Sequence, residues 1–349
     1  MRNGFHKNNI VPCNKITVGT ITFGIILIFN ELCKHSSFIY ETIYLKGIFQ
    51  VIRIVHDFTL GLLPIPSIYI VLFCFLIYFF RSKLGSIKAF LAGLTGFLIW
   101  VLNCFYLLWG FNYTQPSIYE SLAMDKVQLD STYIRAEFTR QTKIVEELAK
   151  KEIKQYSHSR LESEIRPVQE RLLQRFGMPT IGRVRIRKLP KGLLLLIRTS
   201  GIYIPHAIEG HIDPGLYYKQ HPFTIAHEMA HGYGYTDESV CNFIAYLTCL
   251  ESDNLTIRYS AELAYWRYLA IQFRDAFPEE YSGKYNSLEP SLLSDLKSIR
   301  KHIEQYKDLM PVMKDKIYDS YLKTHGVKAG IKSYDMMIEL IAAYNARPD

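Results

Sequence analysis

Acidic residues are nearly absent from the first third of this 349-residue chain. Residues 1–109 contain 9 Lys and Arg but only 3 acids, and the rest of the chain is close to neutral. A net charge of +8 would by itself suggest nucleic-acid binding. Because the basic excess lies beside apolar segments, we interpret it as a signal of membrane topology and expect no nucleic-acid partner.

Several familiar sequence patterns are also missing. No C-x-x-C pair occurs among the 6 cysteines, so a cysteine-bound zinc knuckle has no support. Cys241 and Cys249 lie eight residues apart in one predicted helix, too far for a disulfide, and are expected to be small core residues. No G-x-S-x-G is present, which argues against a serine hydrolase with a nucleophile elbow.

Three apolar runs occupy the first third of the chain, at 16–33, 58–80 and 89–111. The last two are long enough to cross a hydrocarbon layer of about 30 Å. The first has the basic start and apolar middle of a signal peptide. No small-x-small cleavage site follows it, so an uncleaved anchor is favoured. The sequence therefore predicts a membrane domain over 1–111 with about three transmembrane helices.

Orientation is predicted from the basic residues of the short connecting segments. The N-terminus carries Arg2, Lys7 and Lys15 without an acid, and the 81–88 loop is likewise basic without an acid. Both should be cytoplasmic, and three spans place them on the same side. Residues 112–349 are then expected outside the cytoplasm, so the chain is a multi-pass protein of the cell membrane.

The remaining residues, 112–349, form the predicted soluble domain. Residues 117–177 are polar and helical in pattern. Short strands are predicted at 184–187, 193–197 and 201–205. After Pro222 the chain is helical almost to its end. Helices, a small sheet and then further helices indicate the α+β class.

The motif with clear chemical content is His-Glu-Met-Ala-His at 227–231. Two histidines four residues apart share one face of a helix, so His227 and His231 can bind one metal ion. A catalytic zinc site also needs a third protein ligand and an open position. Glu238 begins the next helix after a break at Gly232–Gly234, and a tight turn would bring it to both histidines.

Asn242 lies one helical turn after Glu238 and is predicted to hydrogen-bond a metal ligand. A structural interpretation stands beside this one: the two histidines of the motif would be satisfied core residues and Glu238 a favourable acid at a helix start. Three other histidines precede the motif in a loop-rich stretch and are expected to be surface or structural residues: His206, His211 and His221.

At this point the chain resembles a bacterial family of uncharacterised multi-span membrane proteins. The soluble part of that family is similar to gluzincin-type zinc metallopeptidases. The resemblance covers most of the chain, and it rests on WGFNYTQP (109–116), GIYIPHAIEG (201–210), FTIAHEMAH (223–231), ESVCNFIAYLTC (238–249), RYSAELAYWRY (258–268) and SYDMMIELIAAY (333–344). It implies a zincin-like domain in which His227, His231 and Glu238 bind Zn²⁺ and Glu228 is the general base.

The leading hypothesis is a membrane-anchored zinc peptidase that uses Zn²⁺ to cleave a peptide or protein substrate at the lipid bilayer. Residues Gly201–Ile204 are expected to be an edge strand that binds extended substrate. Tyr203, His206 and Tyr259 are candidate oxyanion or substrate contacts, and the sequence does not choose among them. The alternative is a non-catalytic zinc-binding sensor or scaffold. An intramembrane protease is disfavoured because no long apolar span surrounds the motif.

Overall fold

The structure of the protein, a computed structural model, describes residues 12–81, 87–309 and 336–347. These residues are mostly helical and include one small sheet, which confirms the α+β class. The α-helices are α1 (Pro12–His35), α2 (Phe49–Asp57), α3 (Ser67–Arg81), α4 (Ile87–Leu108), α5 (Ile118–Ser121), α6 (Ser131–Ala149), α7 (His158–Arg175), α8 (His221–Gly232), α9 (Glu238–Leu250), α10 (Leu255–Ala276), α11 (Pro278–Asn286), α12 (Pro290–Glu304) and α13 (Met336–Asn345). The strands are β1 (Arg185–Lys188), β2 (Gly201–Ile204) and β3 (Glu209–Ile212).

Two helices in the described part of the chain are long and apolar enough to cross a membrane. They are the segments Ile16–His35 of α1 and Phe90–Leu108 of α4, which coincide with the first and third predicted spans. The two helices pack together: the Asn103 amide donates to the Gly19 carbonyl at 3.0 Å. This bond gives the polar amide of an apolar helix an acceptor, which lipid chains could not provide.

The second predicted span, 58–80, is α-helical only from Ser67 onward, with a short 3-10 helix at Leu60–Leu62 before it. Its helix α3 has 15 residues, fewer than a perpendicular crossing of the hydrocarbon layer requires. The preceding residues run as an irregular loop with prolines at 64 and 66. The guanidinium of Arg187 donates to the carbonyls of Gly61 and Leu63 at 3.0 and 2.7 Å. The prediction of one continuous helix over 58–80 was wrong because this loop bonds to the sheet.

The sheet has the order β1-β3-β2, with β1 parallel and β2 antiparallel to the central β3. The prediction that Gly201–Ile204 is an edge strand is confirmed. The third strand, β3, lies at none of the predicted positions. The strand predicted at 193–197 was wrong, because Leu195–Ile197 forms a 3-10 helix.

Asp213 explains that helical turn. Its buried carboxylate accepts hydrogen bonds from the backbone amides of Gly192, Leu194 and Leu195 at 2.7, 2.9 and 3.1 Å. Three amides converging on one carboxylate require a tight turn rather than an extended strand. The apolar run therefore folds away from the sheet.

Helices α8 and α9 form the centre of the described residues that follow position 111. In α8, Ile225, Ala226, Met229 and Ala230 are fully buried, as expected for a helix with small and apolar residues on its inner faces. Around this pair pack α7, α10 and the sheet. On the far side of α10 the rings of Phe138 and Phe273 stack at 4.3 Å and join α6 to the core.

Residues 36–66 pack on the soluble part rather than standing apart from it. The Arg53 guanidinium donates to the Pro179 carbonyl at 2.8 Å and lies 4.9 Å from the centre of the Tyr233 ring. Asp57 pairs with Arg183 at 2.8 Å. These buried or half-buried contacts cross the predicted boundary between residues 1–111 and 112–349. We call the region where they meet, together with Trp109, the seam.

Candidate metal centre

Helices α8 and α9 bring the motif residues together through a short turn. Helix α8 ends at Gly232, and Gly234 follows with φ of +110°, a conformation that favours glycine. Asp237 is the N-cap of α9, and its side chain accepts from the Val240 amide at 3.0 Å. The turn reverses the chain, so Glu238 faces the two histidines of α8.

Three side chains present ligand atoms to one point. Nε2 of His231 and Nε2 of His227 are 3.2 Å apart. Oε2 of Glu238 is 3.1 Å from His227 Nε2 and 3.6 Å from His231 Nε2. Among the described residues, this is the group of histidine, cysteine and acidic side chains that could hold a metal ion. All three are those expected from the sequence.

The spacing of these atoms fits tetrahedral zinc. Zn–N and Zn–O bonds of about 2.0–2.2 Å at tetrahedral angles place neighbouring ligand atoms about 3.4 Å apart. The three observed separations of 3.1, 3.2 and 3.6 Å lie on either side of that value. The donor set of two imidazoles and one carboxylate is that of catalytic zinc sites, which keep a fourth position open.

Hydrogen bonds on the other ring nitrogens orient both histidines. Nδ1 of His231 lies 2.8 Å from the Tyr235 carbonyl, an oxygen that can only accept. Nδ1 of His227 lies 2.8 Å from Asn242 Oδ1, and the Asn242 amide nitrogen donates to the Tyr268 hydroxyl at 3.0 Å. In its neutral form, each imidazole therefore carries its proton on Nδ1. The lone pair of Nε2 then points toward Glu238. Asn242 has the role that the sequence predicted.

Glu228 lies beside the ligands but binds none of them. It is 3% exposed, and its Oε2 atom has no hydrogen-bond partner in the described part of the chain. Burial raises the pKa of Glu228 to about 7, although the neighbouring His227 and His231 lower it. A buried carboxylate oxygen without a partner is costly unless water or substrate engages it.

Two glycines make room for Glu228 against the sheet. A Cβ atom added at Gly201 would lie 2.5 Å from Glu228 Oε1, and one added at Gly210 would lie 2.9 Å from Glu228 Cβ. The carboxylate is thus packed directly on the backbone of the edge strand β2. Glycine at position 201 is required by this close approach.

Glu238 carries the charge of the site. Burial opposes its ionisation, but His231 and His227 beside it hold the pKa of its carboxyl well below the usual range. Its negative charge faces the two Nε2 atoms. A dication would find the Glu238 carboxylate and the two Nε2 atoms already converging on one point.

A cleft of about 860 Å³ opens onto these residues. The edge strand β2 lies along one side and helix α10 along the other, with His227, Glu228 and Glu238 between them. The end of the apolar helix α4 also contributes to the wall, through Phe105 and then Trp109. Trp109 directly follows α4, and its indole donates to the His231 carbonyl at 3.1 Å, which links the end of α4 to helix α8.

Of the three candidate oxyanion or substrate contacts, the structure brings one to the cleft. Tyr203 lines it, and the buried Tyr203 hydroxyl has no hydrogen-bond partner among the described residues. His206 is turned to the Val101 carbonyl at 3.0 Å, and Tyr259 donates to Asp295. Neither lines the cleft.

Sequence reasoning missed Trp109 and Tyr268, which support the ligands from other helices. Both lie in segments on which the family resemblance rests. The resemblance therefore indicated these segments but not the hydrogen bonds that the two residues make. Cys241 was expected in the core and is fully buried, with its Sγ atom 3.3 Å from His231 Nδ1. His211 is also fully buried, as a structural residue of β3.

The chain belongs to a family of proteins of unknown function, DUF3810, whose model matches residues 44–342. The match includes α3, α4 and the candidate metal centre, and it begins before the seam residues. No curated protein and no solved structure matches the chain.

Proposed function

We propose that this protein is a membrane-anchored, zinc-dependent peptidase. The observation that carries the proposal is the meeting of three zinc-type ligand atoms at 3.1–3.6 Å beside the unpartnered carboxylate oxygen of Glu228. His227, His231 and Glu238 would hold the ion. Zinc bound there would lower the pKa of a water in its open position to about 7 and polarise a carbonyl group.

Glu228 is the general base in this proposal. It accepts a proton from the attacking water and passes that proton to the leaving amine, so one water is consumed for each peptide bond broken. Its buried position keeps the carboxylate poorly solvated, and Gly201 holds it beside the edge strand. Asn242 and the Tyr235 carbonyl keep the two imidazoles oriented.

The substrate would bind as an extended chain along β2. One edge of β2 pairs with β3, and residues Gly201, Ile202 and Tyr203 face the cleft. Backbone groups on the outer edge of β2 can form hydrogen bonds with a substrate in strand conformation. Such bonds give affinity with little dependence on the substrate sequence. Tyr203 is then the nearest of the predicted candidates to stabilise the oxyanion, since its hydroxyl needs a partner.

The membrane assignment rests on α1 and α4. We propose that the chain crosses the membrane three times, with α3 as the short second crossing, and that the soluble part lies outside the cytoplasm. The basic, acid-free segments at the N-terminus and at 81–88 support this orientation. The cleft would then lie at the membrane surface, because Phe105 and Trp109 at the end of α4 line it.

The test compares two glutamate variants of the full-length, detergent-solubilised protein. Glu228→Gln keeps the shape of the side chain and removes the base, so zinc should remain bound while peptide turnover falls by roughly 10²–10⁴-fold. Glu238→Ala removes a metal ligand, so zinc itself should be lost. Metal content and cleavage of a peptide library are measured on the same samples.

The two measurements separate the proposal from its alternative. Loss of zinc in Glu228→Gln together with retention in Glu238→Ala would show that the roles are wrongly assigned. A zinc-loaded wild-type protein that cleaves no peptide would instead favour a zinc-binding sensor or scaffold. His227→Ala with His231→Ala is the control for specific binding, since this double variant should hold no zinc.

A further inference from the structure

One face of helix α10 lines the cleft along most of its length. The residues on this face follow helical spacing, so their side chains project toward the same space. They are Ser260, Leu263, Ala264, Arg267, Tyr268 and Ile271. The face begins beside α8, where Ser260 accepts from the Phe223 amide at 3.1 Å, and it reaches the half-exposed Ile271 at the rim.

Arg267 differs from the other cations of the cleft wall. Lys219 is buried in an ion pair with Asp295 at 2.7 Å. Arg198 donates to the Ile303 carbonyl at 2.6 Å and lies 3.7 Å from Asp308. Arg267 makes no hydrogen bond or ion pair with any residue in the described ranges, although its helix position aims it into the cleft.

No acidic side chain in the described part of the chain pairs with Arg267. Burial lowers the pKa of its guanidinium, and Tyr268 is the neighbour that opposes this shift. An arginine remains protonated at neutral pH despite such a shift. A half-buried cation without an anion costs free energy, and a substrate anion would recover it.

Arg267 lines the same cleft as the candidate metal ligands, and its neighbour in sequence, Tyr268, is linked to one of them. The Tyr268 hydroxyl accepts from Asn242, and Asn242 in turn bonds to His227 Nδ1. A residue of extended peptide spans about 3.3 Å. A substrate whose scissile bond lies at the metal centre can therefore place an anionic group, one or a few residues further on, at Arg267.

We propose that Arg267 is the substrate-anchoring residue of this cleft and that it binds a carboxylate of the peptide. This inference rests on the proposed peptidase function. The planar guanidinium fork matches a carboxylate in a bidentate pair, which is the anion that peptides carry. The carboxylate can be the free C-terminus or an aspartate side chain, and the experiment distinguishes the two.

The first arm measures equilibrium binding, so that it does not depend on turnover. Full-length protein with Glu228→Gln is titrated with a pentapeptide mixture that ends in free carboxylates and with the same mixture amidated. A further pair of amidated mixtures carries aspartate or asparagine at one position. We expect one acidic form to bind about 10- to 100-fold more tightly than its neutral partner, as for a charge-assisted pair.

Variants at Arg267 assign that preference. Arg267→Met should abolish the difference in affinity between acidic and neutral peptides. Arg267→Lys should restore part of it, because a lysine keeps the charge but loses the bidentate fork. Arg274→Met is the matched control: Arg274 lies on the same helix, is exposed and pairs with Asp275 at 3.0 Å. It should preserve the full preference, and zinc content verifies that every variant is folded.

The second arm repeats the comparison as kcat/KM with zinc-loaded enzyme carrying Glu228. Equal binding of acidic and neutral peptides, or a preference that survives Arg267→Met, would overturn the assignment of Arg267. Failure of the proposed function has a different signature: no peptide is hydrolysed, whatever the binding arm shows. The binding arm therefore tests whether acidic peptides need Arg267 for tight binding, even if the protein proves not to be a peptidase.

Discussion

Gly201 offers the sharpest test of how the candidate base is positioned. In Gly201→Ala the new Cβ would lie 2.5 Å from Oε1 and 2.8 Å from Cδ of Glu228, whereas ordinary contacts begin at 3.4 Å. The carboxylate must therefore retreat by about 0.9 Å. A displacement of this size at a reacting group costs roughly 10²-fold in rate.

The variant should lose activity without losing metal. The three atoms nearest to the new methyl group all belong to Glu228, and none belongs to His227, His231 or Glu238. Glu228 is the flexible partner in this contact, so the fold should persist. We therefore expect zinc content near that of the wild type, an unfolding midpoint changed by a few degrees, and kcat reduced by roughly 10²-fold.

Gly283→Ala is the matched control. Gly283 lies in α11 with nothing within 4 Å of an added Cβ, so alanine should stabilise that helix by about 0.5–1 kcal/mol and leave activity unchanged. Wild-type turnover in Gly201→Ala would refute the reasoning, since the carboxylate would then need no fixed place against β2. Loss of zinc would show instead that β2 supports the metal ligands.

Three further predictions follow from the site and its surroundings. Asn242→Ala removes the acceptor 2.8 Å from His227 Nδ1, so zinc affinity in a chelator competition should fall about 10- to 100-fold, whereas Asn242→Asp should retain it. His211 is buried, and burial lowers its pKa to about 4 from an ordinary value near 6.5. The unfolded chain takes up this proton at a higher pH than the folded protein does. The free energy of unfolding should therefore fall as pH drops from about 6.5 toward 4, by up to roughly 3 kcal/mol. In metal-free protein, His211→Gln should reduce the fall in unfolding midpoint between pH 7 and 5, and an unchanged fall would contradict the assignment. A reporter fused after Lys83 should be cytoplasmic and one at the C-terminus external; a cytoplasmic C-terminal reporter would mean that the first span is not an anchor or that the number of crossings is not three.

Local sequence signals predicted that His227, His231 and Glu238 converge on one point. Histidines four apart on a helix, the glycine break and the Asp237 cap are all short-range features, and together they determine where Glu238 points. The edge strand at Gly201–Ile204 was found for the same reason, as an apolar segment bounded by turn residues. These elements need no information from distant parts of the chain.

The errors of the sequence analysis arise from distant partners. The Leu-rich run at 193–197 has strand composition, but the Asp213 carboxylate, about twenty residues later, holds its amides in a turn. Strand β3 carries Glu, Gly and His and shows no apolar alternation, so only its pairing with β1 and β2 reveals it. Arg267 has helical spacing that any surface residue could share, and its isolation from acids is visible only in three dimensions.

The seam joins the first third of the chain to the candidate metal centre. The Trp109 indole donates to the backbone carbonyl of His231, Arg53 covers Tyr233 next to the turn after α8, and the Ser67 amide donates to the buried Glu209 at 2.7 Å. A truncated chain starting at residue 112 would lack all three partners and would leave buried polar groups unsatisfied. Under the proposed function, removal of the apolar helices to obtain a soluble protein would therefore also disrupt the candidate metal centre. Lipid composition and detergent, which act on α4, would then affect the proposed activity.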